Sequence, residues 1–289
     1  VIVGAGPAGI YCAYELVEKN PKLNVLLIEK GYDIFNRRCP VLEHKIAKCP
    51  INRGVSGCQP ACSITDGFGG AGAYSDGKFN ITSEFGGWMT DYLDNELVEK
   101  LIHYVDDINL KFGATTQITD PTTPEVLAVG LKLLRAKVRH LGTEQNLEIL
   151  KKLYRYLEDK VTMVFKTKVT ELIIEENTIK GVKTASDVYY AEKVVLAVGR
   201  DGAKWLSDVC TSNGIKMTNN QVDVGVRVET NDIIMEEINR TLYEGKFVYK
   251  SSVGTTVRTF CSNPSGHVVV ENHSGIMLAN GHAYHDPKL

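Results

Sequence analysis

No apolar run in this sequence comes near the length of a membrane span: stretches such as 194–198 hold a handful of residues where about 20 are needed. A surplus of charge of either sign is also missing. Lysine and arginine number 33 against 35 aspartates and glutamates, for a net charge of −2. General binders of nucleic acid usually carry a basic excess, so no nucleic-acid partner is expected. The seven cysteines are an odd number in a long chain without a signal-peptide pattern, which favours a reducing, cytoplasmic setting over a secreted disulfide framework. At 289 residues the chain can bury most of its extended surface and needs no disulfide staples. Hydrophobic residues at 43% and charged residues at 24% exclude a largely disordered protein. The chain opens on Val1 inside an apolar run and ends at Leu289 after a histidine-rich segment, and is expected to be a window on a longer protein.

What is present starts at the first residue. Val1-Ile2-Val3 is a β-branched run suited to a buried parallel strand. Gly4-Ala5-Gly6-Pro7-Ala8-Gly9 follows directly, and Ile10, Ala13, Leu16 and Val17 then repeat at helical spacing. Residues 24–28 read as a second buried strand with Glu29 at its carboxyl end. A G-x-G-x-x-G between a strand and a helix, followed by an acidic residue, is the arrangement of a dinucleotide site. Gly4 permits the tight turn, Gly6 lets the backbone approach a pyrophosphate, and Gly9 lets the helix pack on the strand. Glu29 can accept hydrogen bonds from a ribose hydroxyl, which disfavours NADP here. The motif alone leaves NAD and FAD open.

Three further features favour FAD. Arg37 and Arg38 follow the Glu29-Lys30-Gly31 corner and can neutralise a pyrophosphate. The run from Gly67 to Lys78 is rich in small residues that bring bare backbone against a flat ligand, with Ser75, Asp76 and Lys78 as polar neighbours. Phe68, Tyr74 and Phe79 predict that this loop is packed rather than loose. Residues 161–165, 168–174, 178–184 and 188–191 read as short strands before a buried strand at 194–198 that ends at Gly199. The fold class expected is therefore α/β: a Rossmann-like FAD-binding domain with a β-meander crossover, plus a mainly antiparallel β cap domain.

These residues carry a family resemblance. The segments VIVGAGPAGI, LLIEKG, NRRCP, GFGGAGAYSDGK, TKVTEL, VVLAVGRDG, DVGVRVE, RTFC and NGHAYHD are spread over almost the whole chain. The chain resembles the glutathione-reductase-type FAD superfamily. More narrowly it resembles the bacterial uncharacterised FAD-dependent dehydrogenases, a group of NAD(P)/FAD-dependent oxidoreductases. The resemblance implies that Gly4, Gly6 and Gly9 hold the FAD pyrophosphate and Glu29, beside Lys30, the adenosine ribose. It puts Arg37 and Arg38 over the phosphates, the backbone of Val169 on adenine, Gly199 along the ligand, and Gly70 to Lys78 on the flavin side. NAD(P)H enters as a transient electron donor. The family's closing strand and G-D turn have no counterpart after Pro287, so an incomplete flavin pocket is expected. Apart from the same glycine spacing at Gly67, Gly69 and Gly72 inside the flavin-side loop, no second G-x-G-x-x-G marks a separate NAD(P) domain in the sequence.

Residues 84–158 read mainly as helices, at 96–101, 126–134 and 147–157, inside a first domain of 1–215. After a short helix at 203–213, strands are expected at 222–229, 246–250, 257–260 and 268–271, with a helix at 232–241. These make a second, substrate-binding domain of 216–289 that is incomplete at its carboxyl end. Arg258 can clamp a substrate carboxylate, and His282 or His285 can act as acid or base. Cys39, Cys49, Cys58 and Cys62 admit three readings: a metal site, a redox pair, or reduced thiols beside the flavin loop. The function expected is hydride transfer between FAD and a small organic substrate. The alternatives are a flavin-binding redox sensor or partner-binding module, and an oxidoreductase using NAD alone.

Overall fold

The computed structural model describes residues 1–50, 58–75, 77–84, 86–120, 131–134, 137–219, 222–242, 245–260, 262–273 and 276–282. In chain order its elements are β1 (Ile2–Val3), α1 (Pro7–Lys19), β2 (Leu26–Ile28), β3 (Lys78–Ile81), α2 (Asn95–Lys111), β4 (Lys132–Leu133) and β5 (Lys137–His140). There follow α3 (Gly142–Glu158), β6 (Thr162–Val164), β7 (Val169–Glu175), β8 (Thr178–Thr184), β9 (Val188–Tyr190), β10 (Val195–Leu196) and α4 (Ala203–Ser212). The last elements are α5 (Asp232–Thr241), β11 (Phe247–Lys250), β12 (Thr256–Arg258), β13 (His267–His273) and β14 (Ile276–His282).

The chain divides into two units, Val1–Ser75 with Leu147–Asp223, and Asp76–Asn146 with Val224–Leu289. The sequence placed a single boundary at 215. The structure instead groups 76–146 with the carboxyl-terminal part, because β4 pairs antiparallel with β11 through Leu133↔Phe247 and Lys132↔Val248. That pairing also corrects the helix expected at 126–134: residues 121–130 lie outside the described residues, and Lys132–Leu133 is a strand.

In the first unit β10, β1, β2 and β6 form a parallel sheet in that order. Side chains alternate across it. Ile2 lies against Gly9 of α1, and Leu27 is in register with Ile2. Val3 and Ile28 turn to the other face, where they cluster with Val169 and Val182 of the antiparallel sheet β7-β8-β9. Leu27 and Ile28 are both essentially inaccessible, as a sheet covered on both faces requires. Each such side chain contributes about 1.5–3 kcal/mol of apolar burial. Trp205 of α4 packs on the same cluster and donates its indole N–H to the Thr170 carbonyl at 2.8 Å. The body of α3 buries Ile149, Leu153 and Leu157, one turn apart each time. This is a mixed α/β fold with the expected meander inserted before β10.

The second unit holds the pairs β3-β5 and β13-β14, the sheet β12-β11-β4, and helices α2 and α5. Asp94 caps α2 by accepting from the Leu97 N–H. Its fixed point is a buried ion pair: Arg139 of β5 donates from Nε and Nη2 to the two oxygens of Asp106 in α2, at 2.7 and 2.6 Å. The Asp106 hydrogen bond raises the Arg139 pKa further, against the opposing effect of burial. Asp106→Ala leaves a guanidinium buried without its carboxylate, and is expected to cost about 3–5 kcal/mol in urea unfolding. A cost below about 1 kcal/mol would mean that the pair is solvated.

Two further expectations change. Residues 222–229 form no strand, since they find no ladder partner among the described residues. β14 was not foreseen. Its Asn280-Gly281 reads locally as a turn, but both residues lie in a ladder with Val269 and Val268. Among the described residues no helix is long and apolar enough to cross a membrane.

Candidate functional site

From β1 the sheet winds to β2 and β6 on one side and returns to β10 on the other. At such a switch point the loops leaving neighbouring strands part in opposite directions and open a crevice at the carboxyl ends. A cleft of about 630 Å³ lies there, walled by Gly6, Pro7 and Ala8 on one side and Leu196 to Gly199 on the other. Ala203, Leu206, Ser207 and Cys210 of α4, with Met217 and Thr218, complete the lining. These last residues carry no motif. Only the i, i+1, i+4 spacing of 206, 207 and 210 places them on one helix face.

The three motif glycines divide as the sequence predicts. Gly4 has φ +102°, and a Cβ there would lie 2.4 Å from the Ala197 carbonyl oxygen. A Cβ on Gly9 would lie 1.9 Å from the Gly4 oxygen, so these two serve close packing. Gly6 meets nothing within 4 Å and is the one whose bare backbone faces open space. It caps α1 without any side-chain hydrogen bond, Pro7 follows, and the first turn carries no acidic residue. The amino end of α1 therefore presents its N–H groups and positive dipole to the cleft.

Glu29 is buried at the carboxyl end of β2. Its Oε2 accepts from the Ala5 N–H at 2.7 Å, and its Oε1 from Gly31 at 2.8 Å and Gly67 at 3.1 Å. A carboxylate has about four acceptor positions. Three hold the glycine turn and the Gly67 loop in place, which leaves one on Oε2. Lys30 is an ion-pair partner of Asp66 at 3.1 Å and of Asp201, so it stands among carboxylates rather than free for a phosphate.

The arginine pair behaves differently from expectation. Arg37 is 4% exposed, and its five N–H groups all go to main-chain oxygens: Nε and Nη2 to Ser63, Nη2 to Ile64, and Nη1 to Phe68 and Gly70. No N–H is left to bond a pyrophosphate directly, so the donors of this residue serve the loop rather than a ligand. Arg38 is exposed and stands 3.8 Å from Glu43.

The glycine-rich loop is packed. Phe68 is fully buried against the edge of Tyr154, at 5.1 Å between ring centres. The Gly69 N–H donates to the Ala5 carbonyl at 2.8 Å. Gly70 lies so close that a Cβ on it would come 3.0 Å from the Gly6 Cα. Loop and motif thus form one surface. Ser75 donates to the Gly72 carbonyl. Asp76 lies outside the described residues. Lys78 belongs to the second unit, where its ammonium donates to the Ser262 carbonyl at 2.9 Å.

Val169 is buried in the meander cluster, and Gly199 lines the cleft with space beside its Cα. Arg258 stands in β12 with its guanidinium 5.9 Å from the Phe260 ring centre. His282 is the last residue of β14, and His285 lies outside the described residues. Cys39, Cys49, Cys58 and Cys62 are unbridged. Among the described residues no group of three or more His, Cys, Asp or Glu side chains is placed to hold a metal ion. Burial, and then the neighbouring Cys62, Cys39 and Cys49, push the Cys58 thiol above its usual pKa. That disfavours a reactive thiolate there.

Residues 2–45 match the family model of an NAD(P)-binding Rossmann-like domain. No curated protein matches the chain. Among solved structures it is similar to L-amino acid deaminase from Proteus vulgaris, with 15% identity, a TM-score of 0.41 and coverage of 89% of this chain and 59% of that one. It is also similar to glycine oxidase from Geobacillus kaustophilus, with 16% identity, a TM-score of 0.40 and coverage of 74% and 57%. L-proline dehydrogenase from P. horikoshii gives 16% identity, a TM-score of 0.36 and coverage of 93% and 71%. The chain spans 59% of the length of the deaminase.

Proposed function

We propose that the chain is an FAD-dependent oxidoreductase, a dehydrogenase acting on a small organic substrate. The observation that carries this reading is the crevice at the switch point. Its floor is the open backbone of Gly6; beside that turn Glu29 accepts from the Ala5 N–H, and a second glycine surface at Gly70 lies against Gly6. The residues present fit a flavin dinucleotide. Gly6 and the amino end of α1 would hold the diphosphate, Glu29 the ribose, and the loop 67–74 the flavin half. Bound there, the flavin supplies hydride transfer, and the protein orients the reactants and excludes water.

The second unit is assigned to substrate binding. Arg258 is its candidate clamp for a carboxylate, and His282 and His285 are its candidate proton carriers.

A second reading is favoured by the family match, whose model is an NAD(P)-binding one: the site takes NAD alone. A visible spectrum of the purified protein separates the two. Absorption near about 450 nm that survives desalting marks bound flavin. A colourless protein that binds NAD but not added FAD would sink the flavin reading. Rapid reduction by NADH or NADPH then marks an enzyme, and failure of every donor tried would favour a flavin-binding sensor.

A further inference from the structure

We infer that Arg37 is a positioning residue, whose buried guanidinium fixes the ledge Phe68–Gly70 against Gly6 and so sets how tightly the site holds a flavin dinucleotide. The inference rests on the FAD reading above. Placing a guanidinium away from water is costly unless every N–H is satisfied. Here all five are, by four carbonyls from two separate turns, residues 63–64 and residues 68 and 70. The frame closes on itself. Tyr74 donates its hydroxyl to the Arg37 carbonyl at 2.7 Å, and its ring lies 5.1 Å from the guanidinium carbon.

What the frame holds is next to the cleft. Gly69 donates to Ala5, and Gly70 sits against Gly6 and Pro7. A path of direct contacts thus runs from Arg37 through Gly70 to the glycine that faces open space. The shape of the group matters more than its charge. A planar fork with five donors can span two turns, whereas a lysine keeps the charge but gathers three donors at one point. A loosened ledge must be ordered when the ligand binds, and that ordering is subtracted from affinity.

The test is fluorescence titration of FAD into cofactor-stripped protein, with amide hydrogen exchange measured across residues 67–74. In Arg37→Lys, FAD is expected to bind about ten-fold or more weakly. The visible circular dichroism of the bound flavin should change, and the amides of residues 68–70 should exchange faster. The far-ultraviolet spectrum should stay that of the wild type. Tyr74→Phe removes one tie of the same frame and should move all three readouts the same way by less, which decides the matter if Arg37→Lys does not fold. Wild-type affinity, dichroism and exchange in both variants would overturn the inference. Should the wild type take up no FAD, the FAD reading fails on its own. Exchange at 68–70 then decides whether Arg37 holds the ledge: unchanged rates overturn that role and faster rates uphold it.

Discussion

Gly9→Ala is expected to remove dinucleotide binding and to destabilise the first unit by about 3 kcal/mol, the upper range for forcing extra volume into packed structure. The new methyl would sit 1.9 Å from the Gly4 carbonyl oxygen, and the obstacle is backbone rather than a side chain that can rotate away. Gly4 cannot retreat, because it stands against Ala197 on its other side. α1 must therefore lift from β1, which carries the N–H groups of its first turn out of the cleft. Gly6→Ala supplies the contrast. Nothing lies within 4 Å of its Cβ position, so the fold should tolerate it, while the methyl occupies the space a diphosphate needs. Thermal unfolding should separate Gly9→Ala from the wild type and leave Gly6→Ala close to it. FAD titration should show both impaired. Equal melting of all three proteins would refute the packing argument.

Glu29→Ala is expected to have the next largest effect, about 3–5 kcal/mol of stability together with most of the affinity for FAD, since each buried N–H left without an acceptor costs about 1–3 kcal/mol. The N–H groups of Ala5, Gly31 and Gly67 lose their acceptor together. Those three donors lie on the glycine turn, on the corner after β2 and at the start of the flavin-side loop. The carboxylate therefore shapes the site as well as offering a contact to the ribose. Glu29→Gln keeps one carbonyl acceptor and should fall between the two. FAD affinity unchanged in Glu29→Ala would count against the assignment of the site as a whole.

How much of this was legible in advance depends on the range of the interactions. The turn from Gly4 to Gly9, the meander 169–190 and the acidic end of β2 are written in neighbouring residues, and each appears where the pattern placed it. Arg37 and Arg38 could not be told apart, because they are the same residue type side by side. Only the convergence of carbonyls from residues 63 to 70 buries one and leaves the other to solvent. The grouping of 76–146 with 224–289 depends on β4 meeting β11 more than a hundred residues on, which no local period encodes. The α4 wall of the cleft was invisible for the same reason: Ser207 and Cys210 become site residues only because β10 returns beside β1. For the four cysteines, closeness in sequence left a metal site, a redox pair and reduced thiols all open. In the fold the four thiols are unbridged, with burial and then the nearby Cys62, Cys39 and Cys49 raising the Cys58 pKa.

The central claim is that the crevice between β1 and β10 holds a dinucleotide by its diphosphate, on the open backbone of Gly6. Calorimetric titration of FAD into the stripped protein, repeated with ADP as competitor and in Gly6→Ala, tests it most directly. The account predicts one FAD bound per chain, displaced by ADP because both carry a diphosphate for the same helix end, and weakened in Gly6→Ala without loss of folding. Binding that ADP does not disturb and Gly6→Ala does not weaken, or no binding of FAD or NAD at all, would contradict it.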